Sequence, residues 1–195
     1  SSPVQPEPFP VYRESNKKIY IPRYYGTEMY GPPDAFEIDD GDEISLKFKG
    51  SLRDKQKPVV EKYLKYVNND GGGGGGCLAL HTGFGKTCLA LYIVAALKKK
   101  TIIIVHKEFL LRQWVERIEQ FLPEAKVGRI QAKTIDVENK DIVICMLQSL
   151  SMKEYNKELF KGYGLTIVDE CHHISAEVFS RAFFKIVTKY TLGLS

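Results

Sequence analysis

Apolar positions divide this chain into two regimes. From Ile19 to about Phe48 they come in short runs: Ile19-Tyr20-Ile21, the Gly31-Pro32-Pro33 break, then Phe36-Glu37-Ile38 and Ile44-Ser45-Leu46 around the acidic turn Asp39-Asp40-Gly41-Asp42. Short runs bounded by Gly, Pro and Asp predict strands and turns, so residues 1–50 are expected to form a small β-rich N-terminal appendage behind a loose Pro-rich start. After Gly50 the period lengthens. Val59, Val60, Tyr63, Leu64 and Val67 recur at helical spacing and predict a helix over 53–67. Residues 68–76, with six consecutive glycines, are expected to be a flexible link. Strand and helix signals then alternate: strands at 77–80, 101–105, 141–146, 165–169 and 190–194, helices at 86–98, 108–121, near 152–160 and at 176–187. Runs such as Ile102-Ile103-Ile104-Val105 suit strands covered on both faces. Such repeated units predict an α/β fold over residues 51–195, a doubly wound, mainly parallel sheet with its ligand at the carboxyl ends of the strands.

Composition agrees with that core. Apolar residues make up 44% and charged residues 27%, the balance of a globular chain. No segment approaches the roughly 20 apolar residues of a membrane span, and the Pro-rich start lacks a signal-peptide core, so an intracellular setting without a membrane is expected. Cys77, Cys88, Cys145 and Cys171 never form C-x-x-C and are read as reduced core residues. The net charge of +4 is unevenly spread: residues 1–50 carry 6 basic and 9 acidic side chains, residues 51–195 carry 22 and 15. An excess of that size admits a polyanionic partner without requiring one.

The chemistry starts at Leu80-His81-Thr82-Gly83-Phe84-Gly85-Lys86-Thr87, which leads from an apolar strand into an apolar helix. Backbone N–H groups of a Gly-rich turn, the helix N-terminus and one ammonium converge there on phosphates. Gly83 and Gly85 let the chain curl, Lys86 reaches the β- and γ-phosphates, and the Thr87 hydroxyl is placed to hold Mg²⁺. Leu80 stands where G-x-x-x-x-G-K-[ST] has its first Gly, so the loop alone leaves the enzyme class open.

A second half follows 83 residues beyond Lys86, where Leu165-Thr166-Ile167-Val168 ends in Asp169-Glu170-Cys171-His172-His173. A strand end in this fold opens into the same crevice as the phosphate loop. Asp169 suits Mg²⁺ or its hydration shell, and Glu170 suits the water that attacks the γ-phosphate. The acidic turn at 39–42 lacks calcium-loop spacing and is read as a solvated hairpin turn. His172-His173 is not expected to bind zinc, because adjacent side chains diverge and no H-E-x-x-H occurs.

With both halves in place, residues 51–195 resemble the first RecA-like motor domain of superfamily 2 helicases of the DExH type, with Asp169-Glu170-Cys171-His172 as the box. That family often lacks the first Gly of the loop. The resemblance implies ATP and Mg²⁺ as cofactors, His81, Thr82 and Phe84 as further loop residues, and Lys86, Asp169 and Glu170 as the catalytic set. Leu52-Arg53-Asp54-Lys55-Gln56 resembles the adenine-reading Q-motif, in which Gln56 donates to and accepts from the base and Arg53 packs against it. Val105-His106-Lys107, Gly128-Arg129-Ile130-Gln131 and Met146-Leu147-Gln148-Ser149 resemble the nucleic-acid motifs, so Lys107, Arg129, Gln148 and Ser149 are expected on a DNA or RNA backbone. Gly193-Leu194-Ser195 resembles the start of the Ser-Ala-Thr coupling motif, with His172 as its partner in coupling and a second motor domain beyond it.

The spelling also resembles helicases of large cytoplasmic DNA viruses, relatives of the poxvirus transcript-release helicase, which implies a host-cytoplasmic or virion setting and a role in transcription or replication. Tyr20, Arg23, Tyr24 and Tyr25 of the appendage are candidates for stacking on nucleic acid, against the plainer reading of packing. Competing readings are a duplex DNA translocase of repair or restriction type, an ATP-gated binding module without turnover, and a metabolic P-loop kinase. The nucleic-acid motifs count against the kinase.

Overall fold

A computed structural model describes residues 12–21, 23–31, 34, 37–68, 73–174, 178, 182, 183 and 185–195. The expected helix over 176–187 and the Pro-rich start fall largely or wholly outside them.

The appendage differs from the β-rich expectation. Its strands are the two-residue pair β1 (Arg13–Glu14) and β2 (Ile19–Tyr20), and Arg23–Tyr30 forms a helix, α1. Ile44-Ser45-Leu46 forms no strand, though Ile44 N–H donates to Lys98 O at 3.0 Å and an isolated antiparallel bridge joins Glu43 to Lys99 beside it. Phe36 lies outside the described residues. The acidic turn is not a hairpin, although its carboxylates stay exposed to solvent. It is pinned to the base of the sheet by Asp42 N–H to Gly162 O at 2.7 Å, Lys100 N–H to Asp42 O at 2.9 Å and Lys189 Nζ to Asp40 at 2.6 Å. Gly41, at φ +77°, lies so close to Gly164 that a Cβ would meet its backbone N at 2.3 Å. Lysines at the strand starts therefore pair with carboxylates that remain largely exposed.

The α/β unit runs α2 (Lys57–Val67), β3 (Gly74–Leu78), α3 (Lys86–Leu97), β4 (Thr101–Val105), α4 (Glu108–Phe121), β5 (Val127–Gln131), β6 (Thr134–Asp136), β7 (Ile142–Met146), α5 (Leu147–Met152), β8 (Leu165–Val168) and β9 (Tyr190–Leu194). One seven-stranded sheet has the order β3-β9-β8-β4-β7-β5-β6, parallel except for the β5–β6 pair. Period two sorts its side chains. Ile103, Val105, Ile144 and Ile167 face the layer of α2, α3 and α4, while Ile102, Ile104, Val143 and Cys145 face Leu147, Leu150, Phe160 and Tyr163. Burial on both faces explains why β4 reads as a continuous apolar run.

Three local assignments change. The glycine run supplies strand residues: Gly74, Gly75 and Gly76 pair in parallel with Tyr190, Thr191 and Leu192, because β9 offers a hydrogen-bonding partner and Val67 and Tyr63 pack where side chains are missing. The helix expected near 152–160 begins earlier, as α5 at Leu147, and a separate 3₁₀ turn forms at Lys157–Phe160. The β5–β6 hairpin was not signalled, since Val-Gly-Arg-Ile-Gln alternates too weakly to read as a strand.

Candidate nucleotide and nucleic-acid sites

Parallel order brings five strand ends to one edge. β3 delivers the phosphate loop, β8 delivers Asp169, β4 delivers Lys107, β7 delivers Gln148 and β9 delivers Ser195. Gly85 caps α3 at φ +91°, and a Cβ there would meet Gln56 Nε2 at 2.6 Å.

That contact exists because the 53–56 segment grips the loop. Gln56 is buried, 3% exposed, and its Nε2 donates to Phe84 O at 2.7 Å while its Oε1 accepts from Arg53 N–H at 2.9 Å. Arg53 Nη2 donates to Gly83 O at 3.2 Å and also to Phe84 O. Both residues expected against adenine are thus hydrogen-bonded to the loop or to each other. His81 packs edge-on to Phe84 with ring centroids 5.2 Å apart, and Thr82 and Gly83 lie exposed.

Arg53, Gln56, Thr82, Gly85, Lys86, Thr87, Asp169 and Glu170 share one cleft of about 520 Å³. Lys86 Nζ lies 3.7 Å from Glu170 Oε1. Asp169 is 7% exposed and hydrogen-bonded at both oxygens: Oδ2 accepts from Trp114 Nε1 at 2.8 Å, and Oδ1 accepts from Glu170 N–H at 3.0 Å. Burial pushes its acid above the ordinary carboxylate range, the Trp114 hydrogen bond opposes that, and the Glu170 charge adds to it. Thr87 and Asp169 offer oxygen donors only, few enough to leave most positions to water and phosphate, and a cation would relieve a buried carboxylate; the residues fit Mg²⁺.

Glu170 itself holds φ +51°, a left-handed conformation that costs a residue with a Cβ about 1–2 kcal/mol. The bend starts a 3₁₀ turn over Cys171–His173. It also corrects the argument that adjacent histidines must diverge: the rings of His172 and His173 lie 4.1 Å apart, and their Nε2 atoms sit 3.3 Å and 3.9 Å from Glu170 Oε2. His172 Nδ1 meets Ser195 Oγ at 2.9 Å, so the two expected coupling residues touch.

The nucleic-acid candidates separate. Lys107 is exposed at the end of β4, its Nζ 5.9 Å from the Phe109 ring centre. Gln148 is exposed and its Nε2 donates to His106 O at 2.7 Å, tying the ends of β7 and β4. Ser149 is 8% exposed and its hydroxyl accepts the Ala132 N–H at 3.0 Å, holding the β5–β6 turn. Arg129 is exposed but sits mid-strand, in register with Ile144, away from the strand ends. Lys133, in the hairpin turn at the carboxyl end of β5, occupies the place expected for it. Sequence reasoning also passed over Trp114, Gln113 and Arg117, all on α4, the last two lining the cleft. Their spacing of three and four residues from Arg117 places them on one helix face.

Residues 49–195 match the family described as "Type III restriction enzyme, res subunit". The chain belongs to this family. Among its relatives is a protein of Acanthamoeba polyphaga mimivirus named "Putative ATP-dependent RNA helicase L396", 39% identical over 98% of this chain and 37% of the relative. "Putative helicase 161L" of Invertebrate iridescent virus 6 is 30% identical over 78% of this chain and 35% of its own length. The chain thus spans roughly a third of these relatives. The ATPase core of a Sulfolobus solfataricus SWI2/SNF2 protein, solved with dsDNA, superposes with a TM-score of 0.63 at 22% identity, over 82% of this chain and 34% of that one. The UvsW helicase of bacteriophage T4 superposes with a TM-score of 0.60 at 19% identity, over 79% and 55%. The fold is the RecA-like helicase core fold. No helix among the described residues is long and apolar enough to cross a membrane.

Proposed function

We propose that this restriction-enzyme-family chain is the nucleotide-binding motor domain of an ATP-dependent helicase or translocase acting on DNA or RNA inside the cell or virion. The observation that carries the proposal is Lys86 Nζ standing 3.7 Å from Glu170, beside the buried Asp169–Trp114 pair and under the Gly83–Gly85 loop. The family match begins at residue 49, which supports a motor domain over 51–195 and a separate role for residues 1–50.

Loop N–H groups and Lys86 bind the triphosphate. At 3.7 Å the Lys86–Glu170 contact is longer than a hydrogen bond, so the denser negative charge of phosphate draws the ammonium away and frees the carboxylate. Glu170 then orients water and accepts its proton. Thr87 and Asp169 would hold Mg²⁺, which when bound would supply charge neutralisation on the phosphates. Gln56 and Arg53 fix the carbonyl side of the loop, and adenine reading uses the Gln56 hydrogen-bonding capacity that remains. Lys107, Gln148 and Lys133 follow a nucleic-acid backbone across the strand ends, and the Ser195–His172–Glu170 contacts carry the state of the nucleotide towards a second motor domain. One relative is named for RNA and one neighbour holds dsDNA, which supports a backbone-reading surface common to both.

The test separates binding from turnover in a full-length protein carrying this chain. ATPase activity rises on adding DNA or RNA; Lys86→Ala loses ATP binding, whereas Glu170→Gln keeps it and loses turnover. Turnover indifferent to every nucleic acid refutes the motor.

A further inference from the structure

We propose that Glu170, His172 and His173 form a binding site for an imidazole-preferring divalent transition-metal ion such as Zn²⁺, and that its occupation shuts down the hydrolytic site. The inhibitory half rests on the role given above to Glu170; the binding half does not.

The geometry is specific. One ligand atom from each of the three residues falls within 4.8 Å of the other two. Metal–ligand bonds of about 2.0–2.1 Å in a tetrahedral site place adjacent ligand atoms about 3.3 Å apart. Glu170 Oε2 and His172 Nε2 already lie 3.3 Å apart, and His173 Nε2, at 3.9 Å, closes on the same oxygen with a small ring rotation. Both histidine side chains are about half exposed, at 44% and 58%, so an ion enters from solvent without opening the fold.

An independent contact points the same way. His172 Nδ1 is engaged by Ser195 Oγ at 2.9 Å. When that ring nitrogen donates to the hydroxyl, the tautomer is fixed with its lone pair on Nε2, aimed at Glu170; this is how ligating histidines are held by an outer partner. The 3₁₀ turn, started by the left-handed Glu170, is what makes two adjacent histidines converge.

The two ions sort by chemistry. Mg²⁺ demands oxygen ligands and suits Thr87 and Asp169, whereas two imidazoles and one carboxylate favour Zn²⁺ and leave a fourth position for water or a phosphate oxygen. Coordination through Oε2 draws charge from the Glu170 carboxylate and makes it a weaker base towards water, and holds His172 and His173 in one arrangement.

Co²⁺ serves as the spectroscopic probe, added to the 195-residue chain in excess Mg²⁺. One equivalent is expected to give the intense visible bands of a four-coordinate site, bleached by one equivalent of Zn²⁺. His173→Asn and His172→Asn each lower Zn²⁺ affinity at least tenfold, with an unchanged urea midpoint for the exposed His173→Asn. Ser195→Ala lowers it about tenfold through the lost outer contact. Affinity unchanged in His173→Asn overturns the site. So do near-ultraviolet thiolate bands abolished by Cys171→Ser, since they mean that sulfur binds the ion. In the full-length protein, Zn²⁺ inhibits ATP turnover and His173→Asn resists. Tight binding at the cluster with no inhibition overturns the regulatory half and indicts the role of Glu170, leaving the site itself intact.

Discussion

Replacing Trp114 by Phe removes a single donor from the most buried carboxylate of the cleft. The indole N–H reaches Asp169 Oδ2 at 2.8 Å, with Trp114 1% and Asp169 7% exposed, so water cannot take over freely. Hydrogen bonds to charged groups contribute about 1.5–3 kcal/mol and neutral ones about 0.5–1.5 kcal/mol. In Asp169→Asn the amide oxygen still accepts the indole N–H but carries no charge. Trp114→Phe should therefore cost about 1–2 kcal/mol more in the native background than in Asp169→Asn, since the packing loss is common to both and cancels in the cycle.

The same pair has a pH signature. The folded Asp169 acid lies above the ordinary aspartate value of 3.8, mainly through burial. Between 3.8 and that raised value the folded protein keeps a proton that the unfolded chain has released, so stability falls as pH rises through the window and returns as pH falls. Losing the Trp114 donor raises the folded value further and widens the window upward. Urea unfolding without divalent ions, at pH 7 and again near pH 4.5, should show the Trp114→Phe loss shrinking in acid. A loss equal at both pH values, together with zero coupling in the cycle, would refute the account.

Gly85→Ala places a Cβ at φ +91° against Gln56 Nε2 and should cost about 1–2 kcal/mol as well as nucleotide binding; titration with a fluorescent nucleotide and urea midpoints check both. Ser149→Ala should lower stability by about 1 kcal/mol through the lost Ala132 contact and leave nucleic-acid affinity unchanged. Weakened binding at unchanged stability would return Ser149 to the contact set. Lys107→Ala and Lys133→Ala should each lower affinity for every sequence alike and flatten the log affinity against log salt slope by about one, whereas Arg129→Ala should not.

Legibility in the sequence tracked how far each element depends on its neighbours. β4 and α4 were found with their boundaries because a five-residue apolar run and a stripe led by Leu110, Leu111, Trp114 and Ile118 carry their burial in their own composition. Gly74–Gly76 carries none. Its strand conformation comes from β9, 116 residues away in register, and from Tyr63 and Val67 above it, so no local pattern announces it. The lysine contacts of the exposed acidic segment were hidden for a similar reason: Lys99, Lys100 and Lys189 meet Glu43, Asp42 and Asp40 only after the sheet has formed.

The site divides along a similar line. Residues that motif spacing singles out, Lys86, Asp169 and Glu170, do line one cleft, because strand ends in a parallel sheet open along one edge. Spacing says nothing about which partner a polar side chain selects. Ser149 and Arg129 stand in motifs that would place them on a backbone, yet one faces inward to Ala132 and the other sits mid-strand, while Lys133, with no motif, stands at the strand end. The convergence of His172 and His173 was hidden for a further reason. Adjacent side chains diverge in regular strand or helix, and only the left-handed Glu170 makes the following turn tight enough to bring both rings to one carboxylate. That backbone strain lies at the residue assigned to the water, where Asp169 Oδ1 and the His173 N–H hold it in place from either side. Two hydrogen bonds at 3.0 Å and 2.9 Å, one to its N–H and one to its C=O, fix the Glu170 backbone and with it the direction in which the side chain leaves the chain.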